Sequence, residues 1–314
     1  MKSTNPFFDE EGRLRSGWRV VVFVIAFFAV LYSLLEARRL ALRLTPISSV
    51  RSLLASYGFI VILFAIAMIV GWACNRWLER LPLRALGWAF HHRWWRDWLI
   101  GSLLGAASLL IATAIAMLAG GLRFNVTAPE LFPLVLKILV ISAVVFICAA
   151  AAEQVTYWGY PFQTLLRAHC GWVAVILSSA VFAWYHMGNP NVVPMFTFIN
   201  TALAGVWFSV AYLRTRSLWF PLGLHWAWNW IQGGLLGLPV SGRAETVSLL
   251  RATDFGPAWL TGGAYGIEGG IACTAALILS IIFIWRTRLV AATDEMAAFT
   301  SKEHHKHMPP LRVE

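Results

Sequence analysis

The chain has little charge. Only 13% of its 314 residues are Asp, Glu, Lys or Arg, about half the share found in soluble domains. That scarcity excludes an ordinary soluble globular domain, as does a mean hydropathy of +0.68. Acidic residues are the scarcer sign, 15 against 25 basic ones. The resulting charge of +10 does not point to nucleic acid, because most of the arginines flank apolar runs, where they orient membrane spans. No nucleic-acid partner is expected. Cysteine is scarce too. Cys74, Cys148, Cys170 and Cys273 show no C-x-x-C spacing, which excludes a disulfide framework and a thiolate metal site. Three of them lie in or beside apolar runs and read as small buried hydrophobes. Internal repeats and low-complexity segments are also absent from the sequence.

Apolar runs are plentiful. They lie near 18–35, 57–75, 98–119, 132–152, 171–187, 196–213, 217–236 and 267–286, each 17–22 residues long. That length suits a hydrocarbon core roughly 30 Å thick. We expect an all-α fold, a polytopic membrane helix bundle of about eight transmembrane helices in one domain. Residues 1–16 read as a cytoplasmic segment, 17–288 as the transmembrane domain with its motif-bearing core at 130–235, and 289–314 as a polar tail. Within that tail, His304-His305-Lys306-His307 reads as solvated, since no apolar periodicity surrounds it. The first run is followed by Leu34-Leu35-Glu36-Ala37-Arg38-Arg39 and no small-x-small cleavage site, so it reads as a retained span. Arg76, Arg80, Arg84, Arg93 and Arg96, then Arg167, Arg214, Arg216, Arg286 and Arg288, favour both termini in the cytoplasm. Arg38, Arg39, Arg43 and Arg51 oppose that bias. The stretch 237–266 reads as a flexible cap outside the bundle. Lys137, inside the fourth run, is expected to snorkel to an interface.

Three polar motifs interrupt the apolar runs: Glu153-Gln154-x-x-x-Trp158-Gly159, Phe182-x-x-x-His186 and His225-x-x-x-Asn229. An ionisable group at the centre of a membrane helix costs about 2.5–3.5 kcal/mol on insertion scales, so such residues are a default site hypothesis. Residues four apart share a helix face, so Phe182 points with His186, and His225 with Asn229. Ala149-Ala150-Ala151-Ala152 precedes Glu153, and small residues let helices approach closely. Each polar residue alone has a plain structural reading: a packed histidine, an asparagine joining helices, a carboxylate facing the interface. Together they suffice for peptide hydrolysis. Glu153 would serve as general base on a water, His186 would hold that water and protonate the leaving amine, and His225 with Asn229 would stabilise the oxyanion.

The order and spacing of these motifs resemble the CAAX prenyl protease and bacteriocin-processing group of intramembrane proteases, which includes the type II CAAX prenyl endopeptidases. The group's pattern is Glu-Glu-x-x-x-Arg-Gly, then Phe-x-x-x-His, then His-x-x-x-Asn. Here the segments read Glu153-Gln154-Val155-Thr156-Tyr157-Trp158-Gly159, Phe182-Ala183-Trp184-Tyr185-His186 and His225-Trp226-Ala227-Trp228-Asn229. Arg214-Thr215-Arg216-Ser217-Leu218-Trp219 leads into the third motif, and Tyr265-Gly266-Ile267-Glu268-Gly269-Gly270 adds weaker support. The resemblance covers about residues 130–235. It implies an endopeptidase acting on a membrane-associated or lipidated protein or peptide, in contact with membrane lipid. Glu153 is then the water-activating residue, His186 its assistant, and His225 with Asn229 the oxyanion pair.

Two positions depart from the pattern, Gln154 for the second Glu and Trp158 for the Arg. Being four apart, the usual residues could form an ion pair. Losing both avoids stranding one charge in low dielectric, and the Trp158 N–H could donate to the Gln154 carbonyl. The resemblance also leaves zinc open as a cofactor, since two histidines and one carboxylate can bind it. The metal-free Glu/His mechanism is preferred here. Two other readings remain: a catalytically silent member acting as a membrane binding or bacteriocin-immunity protein, and a proton-coupled transporter, for which intramembrane carboxylates are few.

Overall fold

The structure, a computed structural model, describes residues 5–9, 12–44, 49–244 and 247–300. The His-rich stretch 304–307 and the rest of the tail beyond 300 lie outside the described residues. So do the side chains of Arg38, Arg43 and Arg51.

Among the described residues the chain forms eleven α-helices and one pair of strands. The helices are α1 (Ser16–Leu44), α2 (Ser49–Cys74), α3 (Trp94–Leu118), α4 (Phe132–Trp158), α5 (Tyr160–Arg167), α6 (Gly171–His186), α7 (Pro194–Thr215), α8 (Trp219–Trp230), α9 (Ala258–Thr261), α10 (Ile271–Arg286) and α11 (Asp294–Ala298). The strands β1 (Leu122–Val126) and β2 (Leu250–Asp254) pair antiparallel, Leu122 opposite Asp254 and Val126 opposite Leu250. Every apolar run of the sequence coincides with a helix. This is a helical membrane bundle, and the protein is an integral membrane protein. Side chains such as Ile25, Ile69, Leu103, Val140 and Ile176 stand exposed on its flanks, as hydrocarbon-facing residues must.

The expected eight spans differ in length. Five stretches among the described residues are long and apolar enough to cross a bilayer: Ser16–Ala37, Gly58–Glu79, Trp94–Leu118, Pro129–Arg167 and Pro194–Thr215. α6 and α10 are apolar but shorter, and α8 has 12 residues before it loosens into a π turn at Ile231–Leu235. The reasons are local. α6 stops at His186 because Pro190, four residues on, has no N–H to donate to the His186 carbonyl and its ring would clash there. α4 breaks at Gly159 because Pro161, within the first turn of α5, has no N–H to donate back.

Two ends of the bundle are tied differently. At one end Arg167, counted in the sequence among the orienting arginines, is buried. Its Nε–H donates to Glu79 Oε2 at 2.6 Å, and the Thr164 hydroxyl donates to Glu79 Oε1 at 2.6 Å. Arg214 donates to the carbonyls of Thr287 and Val290 there. A cavity of about 730 Å³ opens at this end beside Arg19, Glu79 and Arg167, and the residues lining it include none of the three polar motifs. At the other end β1 and β2 form a cap with the connections around them. The expected cap at 237–266 therefore carries a strand, a helical turn and cross-links to the bundle. The Asn191 amide donates to the Gly242 carbonyl and the Gly242 N–H to the Tyr265 carbonyl.

Close helix approach sets the positions of the polar motifs. α3 and α8 touch backbone to backbone. A Cβ on Gly101 would come 2.2 Å from the Phe220 carbonyl oxygen, one on Gly105 2.3 Å from that of Leu224, and one on Gly223 2.2 Å from that of Trp98. Gly101 and Gly105 are four apart and make one smooth face. α6 and α7 cross at Gly205, where a Cβ would lie 2.6 Å from the Ser179 Cα.

Gly223→Ala should therefore destabilise the protein by at least the about 1–3 kcal/mol of an overpacked core. Gly58→Ala on α2, with nothing within 4 Å of the added methyl, should be neutral or stabilising by up to about 1 kcal/mol. Thermal unfolding in detergent measures both, and equal stability of the two variants would contradict the α3–α8 contact.

Candidate active site

The site begins with Glu153, one turn before the end of α4. Its Oε2 lies 3.6 Å from Nε2 of His225 on α8, too far for a full hydrogen bond but close enough to direct a ring N–H at the carboxylate. The His225 ring is fixed by aromatic neighbours. It stacks on Phe208 of α7 with centroids 4.7 Å apart, and meets Phe182 of α6 edge-on at 6.4 Å. Phe182 also packs on His186, centroids 4.4 Å apart, so one buried phenyl ring is a wall for both imidazoles.

His186 is oriented by its own helix. Its Nδ1–H donates to the Phe182 carbonyl at 2.8 Å. A carbonyl can only accept, so Nδ1 carries a proton, and in the neutral ring the lone pair is on Nε2. The structure thus brings Glu153, His225 and His186 together, the first two in contact and the third through Phe182. Asn229 is placed by its helix, one turn after His225 on the same face and half-buried.

The indole of Trp158 does not reach Gln154. Its Nε1–H donates to the Ser209 hydroxyl on α7 at 2.8 Å, and its ring packs edge-on against Phe182 and Phe208. Gln154 turns to the other side, with Nε2 3.5 Å from Nδ1 of His225. The expected Trp158–Gln154 hydrogen bond is therefore replaced by two separate ones, because the two side chains face different helices.

Sequence reasoning missed three contributors. Gln154 stood only as a departure from a pattern, yet it is fully buried against His225. Arg243, in the cap, brings a cation within electrostatic range of Glu153, Tyr185 and His186. No motif marks it, since it arrives through a loop. Glu268 is within electrostatic range of His186. Its Oε2 accepts from the Ser241 N–H at 2.6 Å and from the Ser241 hydroxyl at 3.2 Å. Burial raises the Glu268 pKa above the usual carboxylate value, and the Ser241 N–H opposes that rise. The segment Tyr265–Gly270 was its one sequence signal.

The donor set does not suit a metal. Among the described residues no group of three His, Cys, Asp or Glu side chains is arranged to hold an ion, so no step is routed through zinc. What the arrangement offers is a carboxylate, one imidazole whose Nδ1 is tied to a backbone carbonyl, and a second imidazole whose Nε2 lies 3.6 Å from the carboxylate. These are the parts of a water-activating site.

A polytopic helical membrane protein with a buried Glu/His pair is the class that fold and site define. The family model described as Type II CAAX prenyl endopeptidase Rce1-like matches residues 135–231, and that family consists of intramembrane proteases. The matched segment runs from α4 to the residue after α8 and contains Glu153, His186, His225 and Asn229, so the resemblance read from the three motifs holds over that segment. No curated protein and no solved structure matches the chain.

Ser209→Ala should leave the buried Trp158 N–H without an acceptor and cost about 1–3 kcal/mol. Adding Trp158→Phe should recover part of that loss, a coupling of about 0.5–3 kcal/mol for residues in contact. A thermal-melt double-mutant cycle checks it. The matching cycle between Gln154 and Trp158 should be additive.

Proposed function

We propose that the protein is an intramembrane endopeptidase, hydrolysing a peptide bond in a membrane-associated or lipidated protein or peptide. The observation that carries this reading is the 3.6 Å approach of Glu153 to His225 inside the segment similar to the prenyl endopeptidase family. Glu153 takes a proton from a water, and the hydroxide attacks the scissile carbonyl carbon. The oxyanion that forms accepts from the His225 Nε2–H and from the Asn229 amide. His186, with Nε2 unprotonated at the start, accepts a hydrogen bond from the attacking water. The proton that Glu153 took from the water then passes by way of His186 Nε2 to the leaving amine as the tetrahedral intermediate collapses and the C–N bond breaks, which leaves Glu153 ionised and His186 neutral again. One oxyanion donor of this kind contributes about 2.7–4 kcal/mol in a known hydrolase. The aromatic walls Phe182 and Phe208 keep bulk water from the histidines, which strengthens each of these interactions.

The substrate approaches from the membrane; the termini lie in the cytoplasm, as the arginine distribution suggests, and the membrane is a bacterial inner membrane, as the resemblance to bacterial members of the family implies. The replacement of the family's Glu and Arg by Gln154 and Trp158 favours a second reading, a silent member that binds a membrane peptide without cutting it. The test is cleavage of a panel of lipidated C-terminal peptides by purified protein in lipid vesicles. Under the hydrolase reading, Glu153→Gln abolishes turnover and Cys74→Ser and Cys170→Ser leave it unchanged. Full turnover by Glu153→Gln would remove Glu153 as the base. Tight peptide binding with no cleavage by the wild type would support the silent member.

A further inference from the structure

We infer that Gln154 is a positioning residue that holds His225 in the tautomer with its proton on Nε2, aimed at Glu153 and at the place where the oxyanion forms. The catalytic meaning of this rests on the hydrolase reading, but the tautomer itself does not.

The argument starts from what each ring nitrogen meets. Nε2 of His225 faces the Glu153 carboxylate at 3.6 Å. An ionised carboxylate can only accept, so in the neutral ring the proton belongs on Nε2. Nδ1 is then a bare lone pair in a fully packed environment and needs a donor. The group beside it is the Gln154 amide, with Nε2 at 3.5 Å. Gln154 is wholly buried, and its Oε1 has no hydrogen-bond partner among the described residues. The amide is thus held with its donor side toward His225 although its acceptor gains nothing in return.

A carboxylate at position 154 would reverse this. It cannot donate, so it would call the His225 proton to Nδ1. The Nε2 lone pair would then face the Glu153 carboxylate, and no N–H would be left for an oxyanion unless the ring became an imidazolium. A carboxylate here would also lack a counter-cation at position 158, where Trp158 is committed to Ser209. Gln154 and Trp158 therefore work as a consistent neutral pair of substitutions, each with its own partner, around a neutral His225. The departure from the family pattern sets which nitrogen of His225 is the donor.

The experiment reads the nitrogens directly. Protein labelled with ¹⁵N-histidine is placed in lipid nanodiscs, and the His225 signals are assigned by their loss in His225→Gln. Wild type should show Nδ1 unprotonated and Nε2 protonated. Gln154→Glu should move the proton to Nδ1 or give the doubly protonated ring. Gln154→Met, which keeps the volume and adds no charge, should give a mixture of tautomers and keeps the test available if Gln154→Glu does not fold. Wild type with Nδ1 protonated, or a His225 spectrum unchanged in Gln154→Met, would overturn the proposal. In a cleavage assay, Gln154→Met should lower kcat by about tenfold with KM unchanged, less than the roughly hundredfold or greater loss from removing an oxyanion donor outright. Absence of cleavage by the wild type would count against the hydrolase reading alone, because the nitrogen spectrum decides the tautomer without turnover.

Discussion

The backbone contact between α3 and α8 is the constraint on which the site depends. Lipid is as apolar as a leucine side chain, so burial alone does not drive helices together in a bilayer; close packing of small residues does. Gly101 and Gly105 on one helix and Gly223 on the other remove the side chains that would hold the axes apart. α8 carries His225 and Asn229, so their depth and rotation are fixed by that contact. On the far side of His225, Phe208 of α7 completes the wall, and α7 is in turn pressed onto α6 at Gly205 and Ser179. Two glycine contacts thus bring two histidines from separate helices to one phenylalanine.

Three polar contacts hold the side chains around the site. Trp158 gives its N–H to Ser209, His186 gives one to the Phe182 carbonyl, and Gln154 faces the ring nitrogen of His225. Each contact is modest in isolation, about 0.5–1.5 kcal/mol net. Their larger effect is negative: an unpaired buried donor costs more than a made bond contributes, so each side chain has few alternative orientations. Glu153 differs in being partly open, its side chain 29% exposed. A base that must exchange a proton with water needs such access.

The two ends of the bundle use charge for different purposes. At the end with Arg167 and Glu79, a buried and multiply hydrogen-bonded ion pair locks α5 to the turn after α2. Removing one partner from such a pair is costly because the other charge is left stranded. At the cap, Arg243 stays exposed and Glu268 is held by Ser241. These charges lie within electrostatic range of the site residues. They shape the field at the site from the cap side.

Much of this was legible in the residues themselves. Helix positions followed from apolar runs, since a bilayer requires continuous apolar length and internal backbone pairing. Ionisable groups inside those runs marked Glu153, His186 and His225, because the membrane makes such groups expensive. Four-residue spacing placed Phe182 with His186 on one helix face. The remainder needed the third dimension. α5 and the strand pair were not foreseen, being short and set by local turns. Arg167 counted in the sequence only toward orientation; its burial was not legible because its partner Glu79 is far away in sequence. Trp158 and Gln154 share one helix face by spacing, yet Ser209 and His225 claim them from different helices. Arg243 and Glu268 reach the site on loops that no periodicity describes. Sequence by itself determined which segments are helical and which residues are chemically out of place, because those depend on local composition against a fixed solvent. Tertiary structure alone decided which partner each polar atom meets, because that depends on how closely helices distant in sequence can approach.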